Sequence, residues 1–238
     1  MSPIDDLIAT LGPDHPVREV RVCAYWTAVW SRHLGLASAL RDECPGHPIR
    51  PVEQAGHLTE KSTLEICQLA NSDSLLEASI GLAAINSMLP EVQGDEINAE
   101  RLILERGSGK RIAVIGHFPF VARIKDQAKT LWVMEKRLRR GDLPESEAGR
   151  ILPQADVVAI SATTLINHTL EEILKRCRKD SFRIMLGATT PLSPVLLDNG
   201  LDALCGVQVA DPQMVLHYIQ EGAIFRQVKG VKLVCIRR

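Results

Sequence analysis

Several polar side chains and glycines directly follow three β-branched runs in the second half of the sequence. They are Gly116, His117, Thr164, Asn167, Gly187, Thr189 and Thr190. The carboxyl ends of parallel strands meet at one edge of a sheet, where the following helices offer free N–H groups. We therefore expect these residues to converge on one crevice that binds an anion or a polar ligand. A glycine there lets the chain turn sharply and lets a ligand approach the backbone.

His117 is the candidate catalytic residue of this group. An unperturbed imidazole titrates near pH ~6.5, so its side chain exchanges a proton close to neutrality. The sequence has no G-x-S-x-G motif, and none of its cysteines stands beside a histidine at a predicted strand-to-helix junction. Proton exchange at His117 therefore fits the sequence better than nucleophilic catalysis.

Direct ligation of a metal ion is not expected. The seven histidines include no H-x-x-x-H pair, and only His117 and His168 are predicted at the same sheet edge. Two imidazoles without an obvious carboxylate or thiolate as third ligand do not make a zinc site.

Glu135 ends the second predicted strand, 19 positions after Gly116. A carboxylate near this spacing accepts the two hydroxyls of a ribose in Rossmann-like proteins. The dinucleotide fingerprint G-x-G-x-x-G is absent, however, and Pro119 removes an N–H that a phosphate would need, so plain NAD binding is disfavoured. Glu135 is therefore either a ribose ligand or a solvated charge at the start of a basic run.

Asn86 lies within Ile80–Met88, a predicted helix that is apolar nearly all round and is therefore expected to be buried. A buried amide left without partners costs about 1–3 kcal/mol. We expect Asn86 to be satisfied inside the protein or to bind a ligand. Gly81 and the alanines that follow it would permit close helix packing.

From residue 109 onward the sequence predicts strands that alternate with helices, which indicates a mostly parallel sheet. The predicted strands are Arg111–Ile115, Thr130–Met134, Asp156–Ile160, Arg183–Leu186, Ala203–Val207 and Val231–Ile236. Most are apolar without alternation, as expected for strands covered on both faces. Ser193-Pro194 and Asp211-Pro212 predict helix starts, and Thr169–Glu172 predicts a capping box.

The first hundred residues predict an antiparallel meander and helices. Its strands lie within Val17–Ser31 and Leu36–Leu40, joined by a turn at Arg32–Gly35. Helices are predicted at Thr59–Ala70, Ser74–Leu89 and Asn98–Arg106, after an irregular loop at Asp42–Pro51. We therefore predict an α+β domain over residues 1–107 and a Rossmann-like α/β domain over residues 108–238.

Composition excludes several classes of protein. The chain has 238 residues, 45% of them hydrophobic and 24% charged, and a formal net charge of −1. These values argue against disorder and against binding to nucleic acid or to anionic membranes. No apolar run reaches the ~20 residues of a membrane span, and the start lacks signal-peptide features, so a cytoplasmic protein is expected. The six cysteines include no C-x-x-C pair and are expected to be reduced and mostly buried.

Seven motifs together resemble one known family, the putative heavy-metal chelation domain family. They are Tyr25–Val29, Gly35–Ala37, Ala78–Ser87, Gly116–Phe120, Ala155–Leu170, Leu186–Pro194 and Gly206–Val209. The resemblance extends from about Val17 to Glu221. It implies an enolase-N-terminal-like α+β domain followed by a Rossmann-like domain, with a candidate site in the cleft between them.

The resemblance also implies roles for particular positions of this chain. The matched residues are Asn86, Gly116, His117, Thr164, Asn167, Thr189 and Thr190. It implies condensation or hydrolysis of flavin-, pterin- or siderophore-like molecules. One departure is His168. The resemblance implies Asn-Gly-Thr where this chain has Asn-His-Thr, so the loop is bulkier and its backbone is less free to adopt positive φ.

Three functions remain open from the sequence. The first is binding, with or without turnover, of a small polar heterocyclic or metal-chelating compound in the interdomain cleft. The second is a transferase using S-adenosylmethionine or another adenosine cofactor, with Glu135 on the ribose. The third is a non-catalytic carrier of a metal complex. The sequence is compatible with a homo-oligomer and does not identify the ligand or a resident cofactor.

Overall fold

The structure is a computed structural model that describes residues 2–41 and 50–238. Most of the loop predicted over Asp42–Pro51, including Cys44, therefore lies outside the described residues.

The N-terminal domain contains a three-stranded antiparallel sheet and helices. The strands, in sheet order, are β1 (Glu19–Val22), β2 (Trp26–Trp30) and β3 (Leu34–Ser38), and the helices are α1 (Pro3–Ala9), α2 (Thr63–Cys67) and α3 (Leu75–Met88). The predicted meander is confirmed. The turn predicted over Arg32–Gly35 is wrong at its last two residues, because Leu34 and Gly35 already pair with β2.

Helix α3 lies at the centre of this domain and is buried on nearly every side. Glycines permit this on two sides. A Cβ atom added to Gly35 of β3 would lie 2.1 Å from the Ala83 carbonyl oxygen of α3, and one added to Gly81 would lie 2.0 Å from the Ala70 backbone nitrogen. The close helix packing predicted at Gly81 is confirmed.

The single helix predicted over Thr59–Ala70 is wrong. The chain forms a 3-10 turn at Leu58–Glu60, then α2, then a second 3-10 turn at Gln68–Asn71. Ser62 caps α2 by accepting a hydrogen bond from Glu65 N–H, and its extended backbone, with a ψ of 155°, interrupts the helix. A capping residue is necessarily non-helical, which explains the break.

The second domain is built on a six-stranded sheet in the order β5-β4-β6-β7-β8-β9, in which only β9 runs antiparallel to its neighbour. The strands are β4 (Arg111–Ile115), β5 (Thr130–Met134), β6 (Val157–Ser161), β7 (Phe182–Leu186), β8 (Ala203–Val209) and β9 (Val231–Arg237). This confirms the predicted fold class, an α+β domain followed by a mostly parallel α/β domain. The strand order reverses between β4 and β6, which makes their carboxyl ends a topological switch point.

The remaining helices belong to this half of the structure; the first of them precedes β4, and the later ones connect the strands. They are α4 (Ala99–Gly107), α5 (Val121–Lys125), α6 (Ala148–Ile151), α7 (Thr163–Ile166), α8 (Leu170–Arg176), α9 (Pro194–Asp198) and α10 (Pro212–Gln220). The cap predicted at Asp211 is confirmed, since its side chain accepts from Met214 N–H at 3.0 Å. The caps predicted at Thr169 and Ser193 are wrong, because neither side chain bonds its helix backbone. Thr169 Oγ1 instead donates to Asn167 Oδ1 at 2.6 Å.

Two of the cysteines depart from the expectation that all are reduced. Cys205 of β8 lies directly opposite Cys235 of β9, and the two form a disulfide. The expectation was wrong because residues 30 positions apart carry no local signal of antiparallel pairing. Cys23, Cys67 and Cys177 are free thiols, and burial raises the pKa of Cys67 to about 12.

The two domains share one hydrophobic core. Apolar residues of α3 and of helices α7 and α8 belong to the same buried cluster. Polar contacts also cross the interface: Trp26 Nε1 donates to the Ala223 carbonyl at 2.8 Å, and Ser38 N donates to Thr189 Oγ1 at 2.9 Å. Helix α4 packs on the six-stranded sheet, with Leu102 and Ile103 in the same cluster as Ile112.

None of the helices within residues 2–41 and 50–238 combines the length and the apolar character that a membrane span requires.

Asp156 directly precedes β6, and the pKa of its carboxylate is strongly shifted. Its oxygens accept hydrogen bonds from the backbone and guanidinium of Arg111 at 2.9–3.0 Å and from Arg178 Nη2 at 3.0 Å. The bonds from Arg111 hold the pKa of Asp156 far below its ordinary value. Its stabilising effect is therefore present above the unfolded pKa of ~3.9 and is lost as the pH falls below it.

We expect Asp156→Asn to lower the free energy of unfolding at pH 7 by about 2 kcal/mol, because charge-assisted bonds are replaced by neutral ones. Urea denaturation from pH 7 down to pH 2 measures this. The difference from the wild type should shrink below pH ~4, where the wild-type carboxylate also loses its contribution. Asp180→Asn is the control, since its side chain is 73% exposed and forms an ion pair with Arg178. Equal losses in the two variants would contradict the prediction.

Candidate functional site

A cleft of about 550 Å³ opens at the switch point of the sheet, and we call it the switch-point cleft. Residues from the ends of β4, β5 and β6 line one side of it. Tyr25, Leu40 and Arg41 of the N-terminal domain line the other. Five of the nine predicted site residues border this cleft. They are Gly116, His117, Glu135, Thr164 and Asn167.

Gly116 holds the turn at the end of β4. Its φ is +96°, a left-handed conformation that other residues adopt only with strain. Its N–H donates to the Met134 carbonyl at 2.9 Å, and an added Cβ atom would lie 3.0 Å from Ser161 Cβ. A glycine is therefore required both by the conformation and by the close approach of the two strand ends.

His117 is held by a carboxylate. Its Nδ1 lies 3.3 Å from Asp142 Oδ2, and the Asp142 side chain is only 4% exposed. An ionised carboxylate only accepts, so this bond places the imidazole proton on Nδ1 and leaves Nε2 as the basic nitrogen of the neutral ring. Asp142 also accepts from Arg139 N–H at 3.1 Å, which fixes the carboxylate.

Thr164 and Asn167 come from the loop and short helix that follow β6. Thr164 is buried, and its hydroxyl donates to the Ser161 carbonyl at 2.7 Å. Asn167 Oδ1 accepts from Thr169 Oγ1. Within the described part of the chain, Asn167 Nδ2 has no acceptor, so its two N–H bonds remain available to a ligand.

Glu135 and a cationic loop close the far end of the cleft. Glu135 Oε1 accepts from Lys136 N–H at 2.7 Å, so one carboxylate oxygen is engaged by the loop itself. Lys136 Nζ lies 3.8 Å from Glu145 Oε2, and both side chains are about half-exposed. The end of the cleft therefore carries flexible charges of both signs that can meet a zwitterionic or an anionic ligand.

Gly187 and Thr189 line a different space, a cavity of about 620 Å³ at the ends of β7 and β8. We call it the aromatic cavity, after the side chains of Trp26, Phe118, Phe120 and Phe225 in its wall. Phe118, Ser161 and Thr163 line both this cavity and the switch-point cleft. The predicted site residues are therefore divided between two adjoining spaces that share these three lining residues.

Asn86 and Thr190 line a third and much smaller pocket, of about 50 Å³. Asn86 Nδ2 donates to the Leu36 carbonyl at 2.9 Å and to the Thr189 carbonyl at 3.0 Å, which ties β3 to the loop after β7. Asn86 Oδ1, Thr190 Oγ1 and His33 Nε2 are buried and have no partner among the described residues. The N–H groups of Asn86 therefore have hydrogen-bond partners inside the protein, as one of the two predicted alternatives requires. Its oxygen has none among the described residues.

His168 adopts the conformation that a glycine would take without strain. Its φ is +56°, in the left-handed region, and its Nε2 lies 3.0 Å from the Ser72 carbonyl. The side chain is exposed and lies outside the cleft lining. His168 and His117 therefore do not act on the same ligand atoms.

Metal-ligating side chains do not cluster in the described part of the chain. Among residues 2–41 and 50–238, no three His, Cys, Asp or Glu side chains come together in a group that could hold a metal ion.

Sequence reasoning missed Asp142 and the aromatic residues. Asp142 follows His117 by 25 positions and lies in a Gly-Asp pair that resembles an ordinary turn. Phe118 and Phe120 belong to the motif Gly116–Phe120, but their stacking at a ring-centroid distance of 5.2 Å is visible only in the structure. The roles of all nine predicted residues stay predictions.

Comparison with known proteins identifies similar sequences along most of the chain. Two family profiles, both described as putative heavy-metal chelation, match residues 4–89 and 98–236. An uncharacterized protein of Methanocaldococcus jannaschii is 31% identical over 206 residues, which cover 83% of this chain and 78% of that protein.

Two crystal structures share the whole architecture. A protein of unknown function from the DUF364 family of Desulfitobacterium hafniense has a TM-score of 0.85 at 24% identity, covering 99% of this chain and 97% of that one. A second protein of unknown function from that family, from Pyrococcus horikoshii, has a TM-score of 0.84 at 26% identity and covers 100% and 99%. At 24% identity the first likeness concerns the fold alone.

Proposed function

Because this chain belongs to the putative heavy-metal chelation family, we propose that it binds a small, polar, metal-chelating heterocyclic compound in the switch-point cleft. The resemblance identified from the sequence motifs is confirmed by these matches. The family description concerns chelation, and no cluster for a bare ion occurs within residues 2–41 and 50–238. The compound itself would therefore be the chelator, with or without its metal.

One observation carries the proposal: a carboxylate-held imidazole, His117 with Asp142, borders a 550 Å³ cleft at the switch point of the sheet. Small-molecule sites typically measure about 300–1,000 Å³ and are found at such switch points. Nε2 of His117 would accept a hydrogen bond or a proton from an acidic hydroxyl or ring N–H of the ligand. Asp142 would hold the ring in that tautomer.

The remaining groups of the cleft suit the polar edge of a heterocycle. Asn167 Nδ2 would donate to a ring nitrogen or a carbonyl oxygen, and Lys136 would meet an anionic substituent. Tyr25 and Phe118 offer aromatic faces to a planar ring. A pterin, a flavin and a catecholate chelate share this combination of a planar ring and a polar edge.

An adenosine cofactor such as S-adenosylmethionine has less support. Glu135 Oε1 already accepts from the Lys136 backbone, so a ribose would share that oxygen with the loop, and the sequence lacks the glycine-rich fingerprint of Rossmann cofactor sites. A carrier without turnover would use the same contacts as an enzyme, and product analysis after incubation with each compound separates the two.

The test is calorimetric titration of the protein with three probes: a pterin, riboflavin and the ferric complex of 2,3-dihydroxybenzoate. We expect at least one of them to bind, and His117→Gln to weaken its binding at least tenfold, or about 1.4 kcal/mol. The melting temperature should remain nearly unchanged, because a glutamine amide can still donate a hydrogen bond to Asp142. His217→Gln is the matched control, since its side chain is 63% exposed and lies outside the cleft. The proposal is wrong if none of the probes binds, or if both variants weaken binding equally.

A further inference from the structure

The aromatic cavity is a large space that the proposed function does not use. It lies at the carboxyl ends of β7 and β8, and part of its wall comes from the N-terminal domain through Trp26 and Ser38. Its volume of about 620 Å³ is in the range of small-molecule sites. It adjoins the switch-point cleft at Phe118, Ser161 and Thr163. Trp26, Phe120 and Phe225 line only the cavity of these two spaces, so the cavity can hold its own occupant.

The wall of this cavity concentrates the aromatic residues of the chain. The sequence has only three Trp, two Tyr and four Phe, and four of these rings line the cavity. Phe118 and Phe120 are stacked with an interplanar angle of 2°. Trp26 and Phe225 are tilted by 50° at a centroid distance of 6.0 Å. Aromatic faces in these two arrangements offer both stacking and edge contacts to another planar ring.

The polar groups of the wall are already bonded to one another. Thr189 Oγ1 accepts from Ser38 N–H, and Ser161 Oγ lies 2.8 Å from Thr163 Oγ1. Trp26 Nε1 donates to a backbone carbonyl. An occupant would therefore gain few hydrogen bonds, and a strongly polar occupant would lose its hydration without compensation.

The charges of the wall are also compensated or peripheral. Arg123 makes a two-pronged ion pair with Glu100, at 2.5 and 2.6 Å. Arg226 is exposed at the rim. The interior therefore selects against a net charge on the occupant.

Backbone geometry keeps the cavity open. Gly187 has φ +118°, and a Cβ atom added there would meet no other atom within 4 Å. At the mouth, Ile224, Phe225 and Leu233 are 37–42% exposed, so three large apolar side chains meet solvent together. Apolar surface gathered around a concave site is typical of ligand binding.

We propose that the aromatic cavity is a second binding site, which takes an uncharged planar aromatic compound. The compound lies among Trp26, Phe118, Phe120 and Phe225 and makes its contacts through ring faces rather than through hydrogen bonds. This site is independent of the chelate site proposed for the switch-point cleft.

The test is a fluorescence titration of the full chain with N-phenyl-1-naphthylamine, a neutral aromatic dye that brightens in apolar surroundings. We expect saturable binding of one dye per chain. Phe225→Asp, which puts a charge at the mouth, should weaken this binding at least tenfold. Met214→Asp is the matched control, because Met214 has the same 41% exposure as Phe225 and lies outside the cavity, and it should leave binding unchanged. Leu233→Asp provides a second variant at the mouth with the same expected result.

Competition and a cross-check complete the experiment. Naphthalene should displace the dye, whereas naphthalene-2-sulfonate, an anionic derivative of naphthalene, should do so at least tenfold more weakly. His117→Gln should leave dye binding unchanged, so that failure of this site and failure of the chelate site are distinguishable.

Three outcomes would overturn the proposal. One is dye binding that does not saturate, and another is equal weakening by Phe225→Asp and Met214→Asp. The third is a Phe225→Asp variant that dissociates an oligomer but keeps dye binding, which would make the apolar mouth a contact between copies of the chain.

Discussion

Replacing Gly35 by alanine is expected to lower the free energy of unfolding by at least about 3 kcal/mol, near the upper end of overpacking effects. The added Cβ atom would lie 2.1 Å from the Ala83 carbonyl oxygen and 2.3 Å from the Ser87 backbone nitrogen. Both are backbone atoms of α3, which cannot rotate away as a side chain can. The strand and the helix would therefore have to separate, and the contacts between β3 and α3 would weaken.

Urea denaturation followed by circular dichroism measures this loss. Gly12→Ala is the matched control, because an added Cβ atom there meets nothing within 4 Å. We expect the control to stay within about 0.5 kcal/mol of the wild type. If the Gly35→Ala variant unfolds at the same urea concentration as the control, β3 and α3 are farther apart than the structure places them. If the variant does not fold, it will be lost from the soluble fraction, which also shows a large decrease in stability.

Replacing Asn86 by alanine is expected to cost about 2–3 kcal/mol of stability. The substitution leaves the carbonyls of Leu36 and Thr189 without the donor that both now share, and each is at the interface between the domains. The cost is limited because the unpartnered Oδ1 atom disappears as well. The domains should then unfold at a lower denaturant concentration.

Asn86→Asp separates hydrogen bonding from packing. The aspartate has almost the same shape but offers no N–H group, so we expect a loss at least as large as that of the alanine variant. Asn71→Ala is the control, since it removes an exposed amide whose hydrogen bond joins only Asp5. If Asn86→Asp were as stable as the wild type, the bonds to the two carbonyls would not contribute to stability.

Local sequence patterns predicted the second sheet well. The strand Arg111–Ile115 has the same bounds in prediction and structure, and Val231–Ile236 is one residue short of β9. The reason is physical: a strand buried on both faces needs a continuous run of apolar, β-branched residues, and this requirement is met within five or six positions. Asp211 is another local case, because an N-cap reaches only three residues ahead.

Elements whose hydrogen bonds have several competing partners were predicted poorly. Thr169 has the residue type and spacing of a cap, but its hydroxyl binds Asn167 instead. The helix over Thr59–Ala70 was predicted without its internal cap at Ser62. In both cases a short polar side chain has two possible hydrogen-bond partners nearby, and the local sequence does not determine which of them it binds.

The candidate site was predicted in part for the same reason. Gly116 and His117 were found because the end of a predicted strand is a local feature. Asp142, which holds His117, lies 25 positions away, and the side chains of Phe118, Ser161 and Thr163 that line both spaces are ordinary in type. The contacts of Asn86 reach across 50 and 103 positions.

The alternation of elements, the fold class and the family of this protein follow from residues that are close together in the chain, because burial patterns and short motifs are local. Which polar residues share a space depends on the three-dimensional packing. It separated Gly187 and Thr189 from His117, turned Asn86 into a link between domains and paired Cys205 with Cys235. These outcomes depend on distances between residues far apart in the chain, which packing of the whole core fixes and local patterns do not encode.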